Sequence, residues 1–284
     1  MTLARHIQKA LSNMTRAEQS RTYIGASIVA SPCDRELFYI KERVQQAPND
    51  AQSLRIFDFG NAIETLAVEW LRAAGFFIYD RSPVTGEQFR VTLPTGETLG
   101  HADGIIATYP LHPDLFTNTQ DRTTPRVAIL EIKSHNARSF NAVVNLGVER
   151  AKFEHFAQMQ CYINGTRHLA TDFNSNEKIN TAIYVAVNKD TCEIHIEEVP
   201  ADNSVFVQCL SRIRATNRAS APPPRIKSSA SLSPCKWCNY KIHCFKDNRT
   251  PALPERAPDA VARGAVVQIP VSSKTHSCDP EWWL

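Results

Sequence analysis

The stretch Val127-Ala-Ile-Leu-Glu131-Ile-Lys133 constrains this chain more than any other. It reads as a strand with a side-chain period of two, so Val127, Ile129, Glu131 and Lys133 share one face and Ala128, Leu130 and Ile132 share the other. The first face turns from apolar to charged near the end of the strand. Unpaired charge on a core-facing side is costly, so it needs a partner. Upstream, Gly100-His-Ala-Asp103-Gly104 reads as a neighbouring strand, Leu99 to Thr108, that brings a second carboxylate to the same point. Two carboxylates can hold a hard divalent cation such as Mg2+, and a lysine beside it can steady a phosphate or a nucleophilic water. The same residues also fit a plainer pattern, with Asp103-Gly104 as hairpin turn chemistry and Glu131 and Lys133 as a surface ion pair.

The remaining pattern alternates helices and strands. Residues 3–21 carry Leu3, Ile7, Leu11 and Met14 at helical spacing. Cys33 should open a short helix that turns Leu37, Phe38 and Ile40 inward, where unsatisfied N–H groups lower a thiol's pKa and favour a thiolate. Residues 45–53 read as a polar loop. Phe57 to Gly75 form a helix with Ile63, Leu66, Ala67, Trp70 and Leu71 on one side. Glu64 stands among them, either as an edge residue or as an acid aimed at the sheet. Strands are expected at residues 76–79 and 88–93, with a turn at Thr95-Gly96-Glu97 and an exposed loop over residues 109–125. Helices follow at residues 139–146 and 152–163, and the second places Gln158 and Tyr162 on one face, as a rim residue and a core residue or as a functional pair. A hairpin over residues 181–199, a helix over residues 203–215 and an extended linker over residues 219–234 complete the pattern. A mixed sheet with helices packed on it is expected.

The chain has 284 residues, is 43% hydrophobic and 21% charged, and carries a net charge of only +3, so any basic groove must be local. No run of about 18 apolar residues marks a membrane span. Residues 1–22 lack an apolar secretory core, so a cytoplasmic protein is expected. Eight cysteines are present. Cys235, Cys238 and Cys244 form C-x2-C-x5-C, a spacing that points to metal in an intracellular chain. A fourth ligand could come from His243, Cys278 or Cys33, and the helix-start context favours Cys33. Four thiolates suit zinc or an iron–sulfur cluster equally.

Six motifs in order give a resemblance. The chain resembles the PD-(D/E)xK nuclease superfamily, specifically RecB-like and AddB-like exonucleases with an iron–sulfur clasp, of phage or CRISPR-adaptation type. The likeness rests on the Cys33-Asp-Arg35 start, Gly60-Asn-Ala-Ile-Glu64, Gly100-His-Ala-Asp103-Gly104, Glu131-Ile132-Lys133, Gln158-Met-Gln-Cys-Tyr162 and the final three cysteines. Glu64 stands where many RecB-like enzymes carry histidine.

The resemblance implies a restriction-endonuclease-like α/β core over residues 1–246, with residues 247–284 as a Pro- and Ala-rich tail. It implies that Asp103, Glu131, Glu64 and the carbonyl of Ile132 hold Mg2+ or Mn2+, and that Lys133 activates water or offsets phosphate charge. It implies a 4Fe-4S cluster on Cys33, Cys235, Cys238 and Cys244. Gln158, Tyr162 and Arg35 would touch DNA, and Arg138 and Lys152 are further candidate phosphate contacts. The implied activity is exonucleolytic hydrolysis of single-stranded DNA or duplex ends in recombination, repair or phage DNA metabolism. A site-specific endonuclease on the same fold and an inactive DNA-binding scaffold are the alternatives. The end of the tail, Asp279-Pro-Glu-Trp282-Trp283-Leu284, looks like an anchor for a partner such as a recombination, single-strand-binding or annealing protein.

Overall fold

The computed structural model describes residues 2–15, 23–82, 85–93, 97–107, 127–165 and 179–246. Thr95 and Gly96 of the expected turn, the whole expected loop over residues 109–125, Cys278 and the whole tail with its two tryptophans lie outside the described residues.

The chain begins with α1 (Leu3–Ser12), which ends at Asn13, well short of residue 21. Its Leu3, Ile7 and Leu11, which recur at helical spacing, stay exposed. Next come α2 (Ala26–Val29), α3 (Asp34–Lys41) and the long α4 (Ala51–Ala73). Helix α4 starts inside the stretch read as a loop, because the Asp50 side chain accepts from the Ser53 backbone N–H at 2.7 Å and caps it. Strands β1 (Phe77–Tyr79), β2 (Arg90–Thr92), β3 (Thr98–His101), β4 (Gly104–Ala107) and β5 (Val127–His135) follow, then α5 (Ala137–Ala151), α6 (Phe153–Gly165), β6 (Thr181–Asn188), β7 (Ile194–Pro200), α7 (Asn203–Arg218) and α8 (Lys241–Lys246). Helix α5 is two helices joined at Gly147, whose φ of 74° suits glycine and breaks the run.

Five strands form a mixed sheet in the order β1-β4-β5-β6-β7. Strands β5 and β6 are parallel, and the other pairs are antiparallel. The α5–α6 crossover joins the parallel pair, as the length of that connection requires. The period of two sorts the central strands into two cores. Ala128, Leu130 and Ile132 join Ile183, Val185 and Val187 under Ile63, Ala67 and Leu71 of α4. Ile129 joins Ala182, Tyr184 and Ala186 beneath α6, with Met159, Tyr162 and Ile163. The architecture is therefore an α/β sandwich with helices on both faces of a mixed sheet.

The expected single strand from Leu99 to Thr108 is two strands. Strand β3 pairs with β2 in a separate two-stranded sheet, whereas β4 joins the main sheet. Asp103 sits in the break between them. The stretch read as a loose linker is also tied down: the carbonyl of Ala219 accepts from Lys41 at 2.6 Å and that of Pro223 from Arg35 at 2.8 Å.

Candidate active site and thiol cluster

The site forms where the chain leaves one sheet for the other. The Ile132 backbone N–H donates to Asp103 Oδ2 at 2.8 Å, which locks the break against β5. Glu131 follows the parity of β5 and turns toward the α6 side, opposite Tyr184 in register. Its side chain is fully buried. Among the described residues, neither Oε1 nor Oε2 has a hydrogen-bond partner. The Lys133 ammonium lies against Oε1 as an ion pair, not aligned as a hydrogen bond. The same ammonium is 3.6 Å from Asp103 Oδ2 and donates to the Ile132 carbonyl at 3.1 Å. Three oxygens that the resemblance gives to a metal thus converge on one lysine.

Glu64 approaches from α4, the layer on the other face. Burial first, then the Asp103 charge, push its pKa up to about 7. Burial and Asp103 likewise push Glu131 up to about 8, against the opposing pull of Lys133. For Lys133, burial favours the neutral amine, but Glu131 and Asp103 outweigh it and hold the ammonium above its usual range. Three carboxylates around one ammonium leave the set short of positive charge, and a divalent cation would bring it to neutrality. Orphaned, buried carboxylate oxygens and an all-oxygen donor set fit Mg2+ or Mn2+. Among the described residues, no three His, Cys, Asp or Glu side chains are gathered tightly enough to grip an ion as they stand; the carboxylates surround the lysine instead. Gly60 leaves space beside the site, since an added Cβ would meet only Ser134 Oγ, at 3.9 Å.

Three residues expected at DNA are buried with protein partners. Gln158 and Tyr162 are 6% and 3% exposed, and Gln158 Nε2 donates to the Tyr162 hydroxyl at 3.2 Å. That hydroxyl lies 2.7 Å from where a Cβ on Gly100 would be, at a φ of 151°. The pair is a buried brace behind the Gly100–Asp103 turn, closer to the plainer reading of its spacing. Arg35 is 4% exposed, and donates to the Tyr39 hydroxyl at 2.7 Å as well as to Pro223. Arg138 is exposed and Lys152 half-buried at the two ends of α5.

A buried network beside the site escaped the sequence reading. The Tyr184 hydroxyl is 2.8 Å from His135 Nε2 and 2.8 Å from His155 Nδ1, while His135 Nδ1 is 2.9 Å from Ser139 Oγ. Burial, then Lys152 and Lys133, push His135 down to about 4, and burial with the Lys133 charge pushes His155 down to about 3. The signals were present: His135 continues the parity of Glu131 and Lys133, and His155 precedes Gln158 by one helical turn.

The four expected cysteines border one cavity but are not gathered closely enough to hold an ion as they stand. Cys33 caps α3, Cys235 and Cys238 flank a single tight turn, and Cys244 lies on α8. All four line one cavity of about 190 Å³, shared with Glu36 and Tyr39. None is in a disulfide. His243 packs edge-on against the Tyr39 ring at 4.9 Å and does not line the cavity. The low thiol pKa expected of Cys33 is not found. Burial, with the Glu36 carboxylate adding, pushes it up to about 11 despite the backbone N–H groups of Glu36 and Arg35. Burial pushes Cys238 up to about 12.

No family model and no curated protein matches the sequence. Among solved structures, the chain is similar to an alkaline exonuclease (LHK-Exo) from Laribacter hongkongensis, with 15% identity and a TM-score of 0.43 over 69% of this chain and 87% of that one. The same exonuclease in complex with dAMP gives 15% identity and 0.43 over 68% and 85%. A third likeness, to SSO0001, has 15% identity and 0.36 over 86% and 94%. The side chains, not these distant likenesses, bear on function. Among the described residues, no helix is long and apolar enough to cross a membrane.

Two outcomes are expected. Gly100→Ala should destabilise the fold, because the methyl group meets the Tyr162 hydroxyl at 2.7 Å in a backbone conformation that favours glycine; Gly100→Ala combined with Tyr162→Phe should recover part of the loss in urea unfolding. His135 should also make stability pH-dependent. Its folded pKa of about 4 lies below its ordinary 6.5, so the unfolded chain takes up the proton first. Stability should therefore be full above pH 6.5 and fall as pH drops toward 4, by at most about 1.4 kcal/mol per pH unit from this residue. His135→Gln should flatten that slope, as measured by urea midpoints across the window.

Proposed function

We propose that this chain is a metal-dependent DNA nuclease that works from strand ends, with a thiolate-bound metal centre fastening its N- and C-terminal parts. The observation that carries the reading is Glu131. A fully buried carboxylate without a hydrogen-bond donor is a poor structural element, and its nearest charge is a lysine shared with Asp103 and the Ile132 carbonyl. Such an arrangement is useful if the oxygens serve a cation.

Asp103, Glu131, the Ile132 carbonyl and Glu64 would hold Mg2+ or Mn2+, which when bound polarises a phosphate and lowers the pKa of a water. Asp103 is already oriented by the Ile132 N–H, so its second oxygen is the one left to bind. Tyr162 and Gln158 hold the turn behind Asp103 and keep it dry. Lys133 is the flexible member of the set. Turned from the Ile132 carbonyl toward a scissile phosphate, its ammonium would offset the charge that builds on the phosphate oxygens and orient the attacking water. Choice of strand ends follows from the resemblance to RecB-like exonucleases. The four thiols that share one cavity are a donor set suited to the 4Fe-4S cluster implied by that resemblance, and equally to zinc.

The test begins with anaerobic purification, a visible spectrum and iron, sulfide and zinc analysis. End-labelled single-stranded and linear duplex DNA are then digested with Mg2+ or Mn2+. A brown protein that shortens DNA from its ends is the expected result, and a colourless zinc protein would replace the cluster without touching the nuclease. Lys133→Ala and Glu131→Gln should each slow cutting by about 100-fold or more, with DNA affinity measured without divalent metal unchanged. Nicking of circles with intact ends would make the chain an endonuclease, and no cleavage of any DNA would overturn the reading.

A further inference from the structure

The thiol-bearing segment has a second feature that the nuclease chemistry does not use. From Arg225 to Lys246 the sequence carries Arg225, Lys227, Lys236, Lys241 and Lys246 and no acidic residue, in a chain whose net charge is only +3. Within it Trp237 is 76% exposed. Tryptophan gains more from burial than most side chains, and this one stands open on an ordered turn among lysines.

The turn is rigid. The backbone N–H groups of Lys236, Trp237 and Cys238 donate to Leu232, Pro234 and Cys235 at 3.0, 3.0 and 3.1 Å. Lys241 Nζ donates to the Lys236 carbonyl at 2.9 Å, which ties α8 to the same turn. The Lys236 ammonium lies 4.8 Å from the Trp237 ring centroid. An aromatic surface is thus held in place, and Lys236 next to it in sequence and Lys246 nine residues on are exposed.

We propose that Trp237 is a stacking platform for one base of a single nucleic-acid strand, with Lys236 and Lys246 on its phosphates. The chemistry favours this occupant over a protein. Protein interface cores are depleted in lysine, whereas a single strand offers a phosphate for each lysine and a π-face for the indole whatever its sequence. The backbone contacts give affinity and the stacking gives grip. This surface would hold the substrate strand of the proposed nuclease and so rests on that reading, but its test needs no cutting.

The test uses the full chain with no added Mg2+ or Mn2+ and a fluorescent oligothymidylate of about 15 nucleotides. Anisotropy should show that Trp237→Ala weakens binding about ten-fold and Trp237→Phe far less. Lys236→Ala with Lys246→Ala should lower the slope of log affinity against log salt by about 1.4, while Trp237→Ala leaves that slope alone. Because Trp237 lies between two cysteines, a measurement on the unaltered protein accompanies the variants: irradiation with an oligonucleotide bearing 5-iodouracil, followed by peptide mapping, should give an adduct on Trp237. An adduct found only elsewhere, or a folded Trp237→Ala protein that binds like the wild type, overturns the proposal and leaves the patch to a protein or another surface. Binding through Trp237 without cleavage under any metal would sink the nuclease reading and leave this one standing.

Discussion

One cation among three carboxylates governs the centre of this fold. Burying Glu131 without hydrogen bonds would be prohibitive if Lys133 did not lie against it. Lys133 in turn reaches Asp103 only because the chain breaks between β3 and β4 and bonds to the Ile132 N–H. That break is braced from behind by Tyr162, whose hydroxyl occupies the space a side chain on Gly100 would need. Remove any of these and the neighbouring charge is left without its compensation. The carboxyl groups answer by holding their protons more tightly, as Glu64 and Glu131 do with pKa values pushed up to about 7 and about 8. Protons on these carboxyls thus stand in for the positive charge that a cation would bring.

A second set of contacts closes the chain on itself. Helix α3 is the hub. Its N-terminal Cys33 shares a cavity with Cys235, Cys238 and Cys244. Its Arg35 and Lys41 hold the carbonyls of Pro223 and Ala219, and its Asp34 meets Arg212 of α7. Arg225 donates to the Cys244 carbonyl at 3.0 Å, and the Ala47 N–H donates to the Asn239 carbonyl at 2.9 Å. These polar ties already bring α3 and the segment from Ala219 to Cys244 together, so the thiol-lined cavity is held by the protein's own hydrogen bonds. Closing so long a loop costs little more than closing a shorter one, because closure entropy grows only with the logarithm of length.

Periodicity made much of this legible. The alternation of β5 announced both cores and the charged end of one face, and the burial of Leu130 and Ile132 opposite Ile129 and Glu131 follows it. The C-x2-C-x5-C spacing and Cys33 pointed to one place, where the cavity stands. What periodicity could not show was tertiary. The break at Asp103 depends on which sheet each half of a continuous β pattern pairs with, and pairing is not local. Arg35 looked like a phosphate contact, but its partners are a tyrosine one turn on and a carbonyl far along the chain. The thiol of Cys33 sits at a helix start, as expected, yet desolvation outweighs the backbone N–H groups there. The start of α4 was a local signal overlooked, since Asp50 followed by Ser53 is a capping pattern.

Net charge was the least informative number in the sequence because the structure sorts charge by segment. The carboxylates of the site come from α4, the Asp103 break and β5, whereas the segment from Arg225 to Lys246 is wholly basic. An acidic centre suits a divalent cation and repels a polyanion, so the proposed nuclease reading requires that phosphates be attracted elsewhere. Among these basic residues Arg225 is consumed by structure, stacked over Phe245 at 4.8 Å and bonded to Cys244. Lys236 and Lys246 stay at the surface. The same hydrogen bonds that hold the thiol-lined cavity therefore also fix where the exposed positive charge lies, and the two are consequences of one piece of chain.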